Sequence, residues 1–250
     1  MKKLEIIYGI HPLIEAIQSK KNIRKIFFHK ELIQVSNAYK KLINISKKEN
    51  IIIQTVPKQK FHKLKNKNHQ GVFGIISPIK TYSIVDLLPV FYENGKNPLL
   101  IILDRITDVR NFGSIIRTAV CAGVDAIIIP NKNTAHIGSD SIKTSSGALF
   151  KIPICKEKSI KNTIELLINY GLKIVSATEK SNIDWYNIDF SGPTALILGN
   201  EEKGISPIYL EISCEKAKIP VIEGISSLNV SVACGIILYE VFRQRKFITK

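Results

Sequence analysis

The sequence predicts an α/β protein built on a parallel sheet and preceded by a small α/β unit, on three observations. Residues 99–104 and 126–129 are continuous apolar runs flanking a helical pattern, as in a βαβ unit whose strands are buried on both faces. Later strand candidates at 173–177, 194–198 and 217–219 alternate with helical patterns, clearest at 160–170 and at the carboxyl end. The first 76 residues alternate in the same way, and Pro and Gly punctuation at 77–98 sets them apart. The expected organisation is a domain over 1–76, a linker over 77–97 and a second domain over 98–250.

Within the first domain, Ile6 to Tyr8 leads through Gly9-Ile10-His11-Pro12 into a helix with Leu13, Ile14 and Ile17 on its apolar face. A strand is expected at 25–28 and a helix at 37–48, with Tyr39, Leu42, Ile43 and Ile45 as apolar members among lysines. Strands at 51–56 and 71–76 bracket the very basic run 58–67, in which Phe61 and Leu64 are spaced to pin a solvated face to the core; joined to Lys20, Lys21, Arg24, Lys25, Lys40, Lys41, Lys47 and Lys48, the run reads better as an RNA or phosphate-backbone surface.

The net charge is +15, and it is unevenly placed. Residues 1–78 hold sixteen Lys and Arg against four Asp and Glu, while the rest of the chain holds twenty against seventeen. A basic amino-terminal third suits an anionic partner, with nucleic acid the commonest. No apolar run approaches the roughly 18 residues that cross a bilayer, and the first residues lead into no signal-type apolar core, so a cytoplasmic protein without a membrane partner is expected. Cys121, Cys155, Cys214 and Cys234 form no CxxC pair and no ligand cluster with the five histidines, so reduced thiols and no metal site are expected.

Three stretches of the second domain carry more polar chemistry than connections need. After the first strand come Asp104, Arg105, Asp108, Arg110 and Asn111-Phe112-Gly113, at the carboxyl edge of a parallel sheet, where ligands bind. Ile115, Ile116, Ala119 and Val120 then share a helix face from which Arg117 points away. The second stretch, 195–207, is a strand ending in Gly199 and a loop with Asn200, Glu201, Glu202, Lys203 and Gly204; it contains neither GxGxxG nor GxxxxGK[ST]. In the third, 219–233, Ser226 or Ser227 is placed to cap the last helix, beside Gly224, and Ser227, Asn229 and Ser231 crowd its start.

Together these stretches resemble the motifs of the SpoU, or TrmH, branch of the SPOUT RNA methyltransferases. The matching residues are Asn111-Phe112-Gly113 with Arg117, then Leu198-Gly199-Asn200-Glu201 with Lys203-Gly204, then Ile219-Pro220 with Ser227-Leu228-Asn229-Val230-Ser231-Val232-Ala233, in the family's order and spacing. Tyr8-Gly9-Ile10-His11-Pro12 and His69-Gln70-Gly71-Val72 are similar to the RNA-recruiting domain of guanosine 2′-O-methyltransferases acting on large-subunit (23S) ribosomal RNA. The resemblance implies a parallel sheet with its carboxyl-terminal segment threaded into a trefoil knot, a homodimer, and S-adenosylmethionine as cofactor, bound through Gly199, Ile219 and Leu228. It also implies in-line transfer of a methyl group to a ribose 2′-hydroxyl. Arg117 is then the proposed base, with Asn111, Glu201, Ser227 and Asn229 orienting it or the ribose. A guanidinium gives up its proton too reluctantly to make a ready base and is more easily defended as a phosphate clamp. The chain departs from the pattern at Glu202, where members often have Gly, which adds negative charge to the loop. Two other readings stand beside this one: the same chemistry on transfer RNA, and an RNA-binding or assembly protein that keeps the scaffold without turnover.

Overall fold

A computed structural model describes residues 5–30, 37–222 and 227–248. In chain order its first elements are β1 (Glu5–Tyr8), α1 (Ile10–Gln18), β2 (Ile23–His29), α2 (Asn37–Lys48), β3 (Ile52–Val56) and β4 (Val72–Ile76). Next come α3 (Ile84–Glu93), β5 (Leu99–Asp104), α4 (Val109–Cys121), β6 (Ala126–Pro130), α5 (Ser139–Thr144), β7 (Ile154–Glu157) and α6 (Ile160–Asn169). The series closes with β8 (Lys173–Ala177), β9 (Thr194–Gly199), α7 (Pro207–Ile212), β10 (Glu215–Ala217) and α8 (Val230–Arg243). These elements form two units: Met1–Lys80 with His136–Lys151, and Thr81–Ala135 with Ile152–Lys250.

The first unit is a four-stranded sheet in the order β1-β4-β2-β3, with β4 antiparallel to both neighbours and β2 parallel to β3. Strand alternation divides its side chains between two faces. Ile7, Ile26, Phe28 and Val72 pack with Leu13 and Ile14 of α1 and Leu42 of α2. On the other face Tyr8, Val56 and Phe73 are covered by Phe61 and Leu64, from a 3-10 turn at Lys58–Leu64. The two apolar members of the basic run are thus pinned as their spacing predicts, and Lys58, Lys60, Lys63, Lys65 and Lys67 are exposed.

The second unit is a six-stranded, all-parallel sheet in the order β10-β8-β9-β5-β6-β7. Leu100, Ile102, Ile174 and Ile197 pack on one face with apolar residues of α3, α6 and α7. On the other side α4 and α8 lie against each other. From β5 the chain runs outward through β6 and β7, then returns to build β8, β9 and β10 on the opposite side, so a topological switch point lies between β5 and β9. Arg245, beyond α8, donates to the carbonyls of Phe190, Asn97 and Gly192, which makes it a structural clamp at the opposite edge of β9.

Three boundaries differ from the sequence expectation, each for a tertiary reason. Residues 136–151, expected inside the 98–250 domain, belong to the first unit, where Ile142 and Phe150 join its core. Asp140 there accepts from Tyr8 Oη at 2.6 Å and pairs with Lys67 at 2.7 Å, and Lys151 pairs with Glu15 at 2.6 Å. The expected linker 77–97 contains α3, whose Ile84, Leu88 and Phe91 are buried in the second unit's core. The last strand ends at Ala217 rather than spanning 217–219, because the Lys218 backbone is taken by Ile183 and Trp185.

All four cysteines are free; burial pushes the Cys155 and Cys234 thiols up to about 12. Among the described residues no group of three His, Cys, Asp or Glu could hold a metal ion, and no helix is long and apolar enough to cross a membrane.

His69 gives the first unit a pH dependence of defined sign. Its Nδ1 accepts from the Gly71 N–H at 3.0 Å, its ring lies 4.7 Å from that of Phe61, and burial, His29 and Lys143 together hold its pKa below the ordinary value. The unfolded chain therefore binds the proton first, so stability falls as pH drops through the unfolded value of about 6.5. Urea unfolding of the parent should show a lower midpoint at pH 5 than at pH 7.5. In His69→Gln, whose amide oxygen can accept the same bond, that difference should shrink.

Candidate active site

Four connections at the carboxyl edge of the second sheet build the site. After β5, Asp108 caps α4 by accepting from the backbone N–H groups of Arg110 and Asn111 at 2.7 and 2.8 Å. This fixes Asn111 in the first helical turn, while Phe112 and Gly113 are buried against the sheet. After β9 the chain turns back at once. The Asn200 side chain accepts from the N–H groups of Glu202 and Lys203, its carbonyl accepts from Gly204, and Gly204 has a φ of 62°. Glu202 needs no glycine-like backbone: its φ is not positive. Gly199 does need to be glycine, because a Cβ there would strike the backbone of Gly204 and Ile205.

The α8 cap is Asn229 rather than Ser227; Ser226, the other expected cap, lies outside the described residues, as does Gly224. Its Oδ1 accepts from Ser231 N at 3.0 Å, Ser231 Oγ at 2.6 Å and Val232 N at 3.4 Å. With that oxygen occupied by the helix, the amide nitrogen points the other way. It donates to Glu201 Oε1 at 2.6 Å and Asn111 Oδ1 at 3.1 Å, and Asn111 Nδ2 donates to the same Glu201 oxygen at 2.8 Å. Three side chains from three connections therefore close a polar triangle.

Two concavities share the wall that carries it. The larger, about 370 Å³, lies over the ends of β8, β9 and β10 and is lined by Leu198, Gly199, Ile219, Ser227 and Leu228 among others. The smaller, about 230 Å³, is lined by Thr107, Asp108, Asn111 and Glu201. Asn200, Glu201, Glu202 and Val230 border both. Gly199, Ile219 and Leu228 are thus brought to one cavity, and Asn111, Glu201 and Asn229 to one hydrogen-bonded group. Ser227 is exposed at the cavity wall. Arg117 lines neither concavity; it is exposed on α4 in a stripe with Arg110 and Ser114, at i+7 and i+3 spacing.

Sequence reasoning missed Thr178, Glu179 and Lys180, which follow β8 and line the larger cavity. The signal was available, since these polar residues follow a predicted parallel strand at its ligand-binding edge. It also missed the role of Asp104 and Ser206, joined by two bonds of 2.7 Å.

The close approach at Gly199 has a measurable consequence. Gly199→Ala should destabilise the protein by about 1–3 kcal/mol through overpacking, whereas Gly192→Ala, which opens onto empty space, should stay within about 0.5 kcal/mol of the parent. Urea denaturation of the two variants separates these outcomes.

Known proteins resemble nearly the whole chain. Residues 98–239 match the SpoU rRNA Methylase family, and residues 6–82 match the family described as RNA 2′-O ribose methyltransferase substrate binding. A Bacillus subtilis protein assigned to the TrmH family of tRNA/rRNA methyltransferases is 30% identical over 241 residues, 96% of each chain. A Staphylococcus saprophyticus protein with the same assignment is 34% identical over 244 residues, 97% of each. Among solved structures, the SpoU methyltransferase AviRb of Streptomyces viridochromogenes in complex with AdoMet has a TM-score of 0.79 at 24% identity, over 97% of this chain and 90% of that one. The A. aeolicus TrmH/SpoU tRNA modifying enzyme is 34% identical with a TM-score of 0.54, over 60% of this chain and 77% of that one. The AviRb likeness is one of fold, and it agrees with the parallel sheet. The family match spans more than half the chain and the full-length relatives span nearly all of it, so this protein belongs to the SpoU rRNA methylase family.

Proposed function

We propose that the protein uses S-adenosylmethionine to methylate the ribose 2′-hydroxyl of a guanosine in large-subunit (23S) ribosomal RNA. The observation that carries this reading is the shared wall: Glu201 borders a cavity of cofactor size and also anchors a polar group facing a second cleft. The larger cavity suits the cofactor chemically. Leu198, Ile219 and Leu228 offer apolar surface to an adenine ring, while Glu179 and Lys180, with Glu202 and Lys203, offer both charges to a zwitterionic amino-acid end. When bound, the cofactor supplies a sulfonium methyl group and its own good leaving group.

The chain's residues then have a positioning task. Asn111, Glu201 and Asn229 hold one another in place before any ligand arrives, so a ribose entering the smaller cleft meets oriented donors and acceptors. Ser227 adds a hydroxyl at the cofactor side. Arg117 is assigned to the phosphate beside the target ribose, together with Arg110 in the same exposed stripe. The first unit supplies affinity through exposed lysines, whose phosphate contacts carry no base code.

The reading includes the family's trefoil threading, a cytoplasmic location and a homodimer. Val232 and Tyr239 support the dimer: both are about half exposed on α8, seven residues apart on one stripe that a second copy would cover.

Incubation with labelled cofactor and unmodified ribosomal and transfer RNA, followed by mapping, tests the reaction and substrate together. One 2′-O-methylguanosine in large-subunit RNA is expected. Methylation of transfer RNA alone would keep the chemistry and replace the substrate, a reading favoured by the tRNA modifying enzyme that is 34% identical. No methylation of either RNA would leave an RNA-binding protein. Arg117→Ala should lower turnover by about 100-fold or more while leaving cofactor affinity within about twofold; a proportionate loss of cofactor binding would contradict its assignment to RNA.

The basic run has a separate readout. Replacing Lys58, Lys60, Lys63 and Lys65 with Gln should weaken RNA binding and flatten its dependence on log salt by about 0.7 for each phosphate no longer neutralised. An unchanged slope would return the run to a solvated surface.

A further inference from the structure

Arg105 sits between β5 and α4 with a φ of 59°, a left-handed conformation that favours glycine over arginine. Its side chain turns back along the strand. Nε and Nη2 donate to the two oxygens of Asp104 at 2.9 and 3.1 Å, and Nη2 also reaches the Gly204 carbonyl at 3.3 Å. The backbone carbonyl that this conformation exposes accepts from Asn200 Nδ2 at 3.1 Å. Asp104, buried at the end of β5, accepts in turn from the backbone and hydroxyl of Ser206, both at 2.7 Å. Residues 104 and 105 therefore hold the start of the 200–206 loop at Asn200 and its end at Gly204 and Ser206. That loop presents Glu201 and Glu202 to both concavities.

We infer that Arg105 is a positioning residue: its left-handed backbone and its fork on Asp104 and Gly204 set the 200–206 loop against the cofactor cavity before the cofactor enters. The inference rests on the reading of that cavity as the S-adenosylmethionine site. A strained backbone maintained by surrounding hydrogen bonds is a common feature of sites that must be preorganised. Here the hydrogen bonds are those that close the loop. Arg105 lines neither concavity and acts only through Asn200, Asp104 and Gly204.

Arg105→Gly tests this role without straining the backbone, because glycine accepts the same φ and the change removes only the side chain. Thermal unfolding should stay cooperative with a lower midpoint, because the buried Asp104 carboxylate loses its cation. In the cofactor-free protein, hydrogen exchange of amides in 200–206 should accelerate at least about tenfold, with the β5 and α4 amides unchanged. Calorimetric titration with S-adenosylmethionine should show affinity weakened by about 5- to 20-fold, the cost of ordering the loop on binding. Ser206→Ala, which loosens only the far anchor, should shift both readouts in the same direction by less. Affinity within twofold of the parent in Arg105→Gly overturns the inference, as does weakened affinity without faster exchange. A parent protein that binds no S-adenosylmethionine overturns the cofactor reading itself. That failure is distinct from the first, because it appears before any variant is compared.

Discussion

Both ends of the Asn229 carboxamide are occupied, and the site depends on that. The oxygen satisfies the first N–H groups of α8, which would otherwise be orphaned at a helix start. The nitrogen is thereby aimed at Glu201 and Asn111. Serine or threonine would cap this helix as well but would leave no amide to bridge the other two connections. Aspartate would cap it and set a second carboxylate against Glu201. Asparagine alone among the common capping residues serves both ends, so one local rule of helix initiation ties three distant connections together.

The sheet topology explains why those connections meet. Parallel strands place their carboxyl ends on one edge, and the switch between β5 and β9 parts the connections that follow them. The connection after β5 borders the smaller cleft, and those after β8, β9 and β10 border the larger cavity. The 200–206 loop, which leaves β9 beside the switch, borders both. A side chain on that loop can border both concavities at once, and Glu201 does.

What the sequence made legible follows from what is local. Strands β8 and β9 and helices α2 and α6 fall within a residue or so of their expected bounds, because period and punctuation decide them over short windows. Gly199 was legible as a strand end, although the reason for glycine there, the return of Gly204 and Ile205, is a tertiary fact. Asn111, Glu201 and Asn229 were legible through motif resemblance; their mutual bonds were not, joining residues 90, 118 and 28 positions apart. The membership of 136–151 in the first unit was hidden for the same reason. Asp140 reads as an ordinary first-turn acid until Tyr8, 132 positions earlier, donates to it.

Charge and hydrogen bonding divide the work along the chain. The first 78 residues carry most of the +15 surplus on a unit whose exposed lysines project from a pinned 3-10 turn. Such charges act over about 8–10 Å in physiological salt and tolerate imprecise placement. The second unit is close to electrically balanced, and its site depends on amide and carboxylate hydrogen bonds of 2.6–3.1 Å. Interactions that short fail with displacements of a few tenths of an ångström, so they need a rigid frame: a six-stranded parallel sheet, a capped helix and a loop tied at both ends. Screened charge can gather an RNA from solution without fixing its register. Under the proposed function, the register is set where the bonds are short, at the edge between β5 and β9.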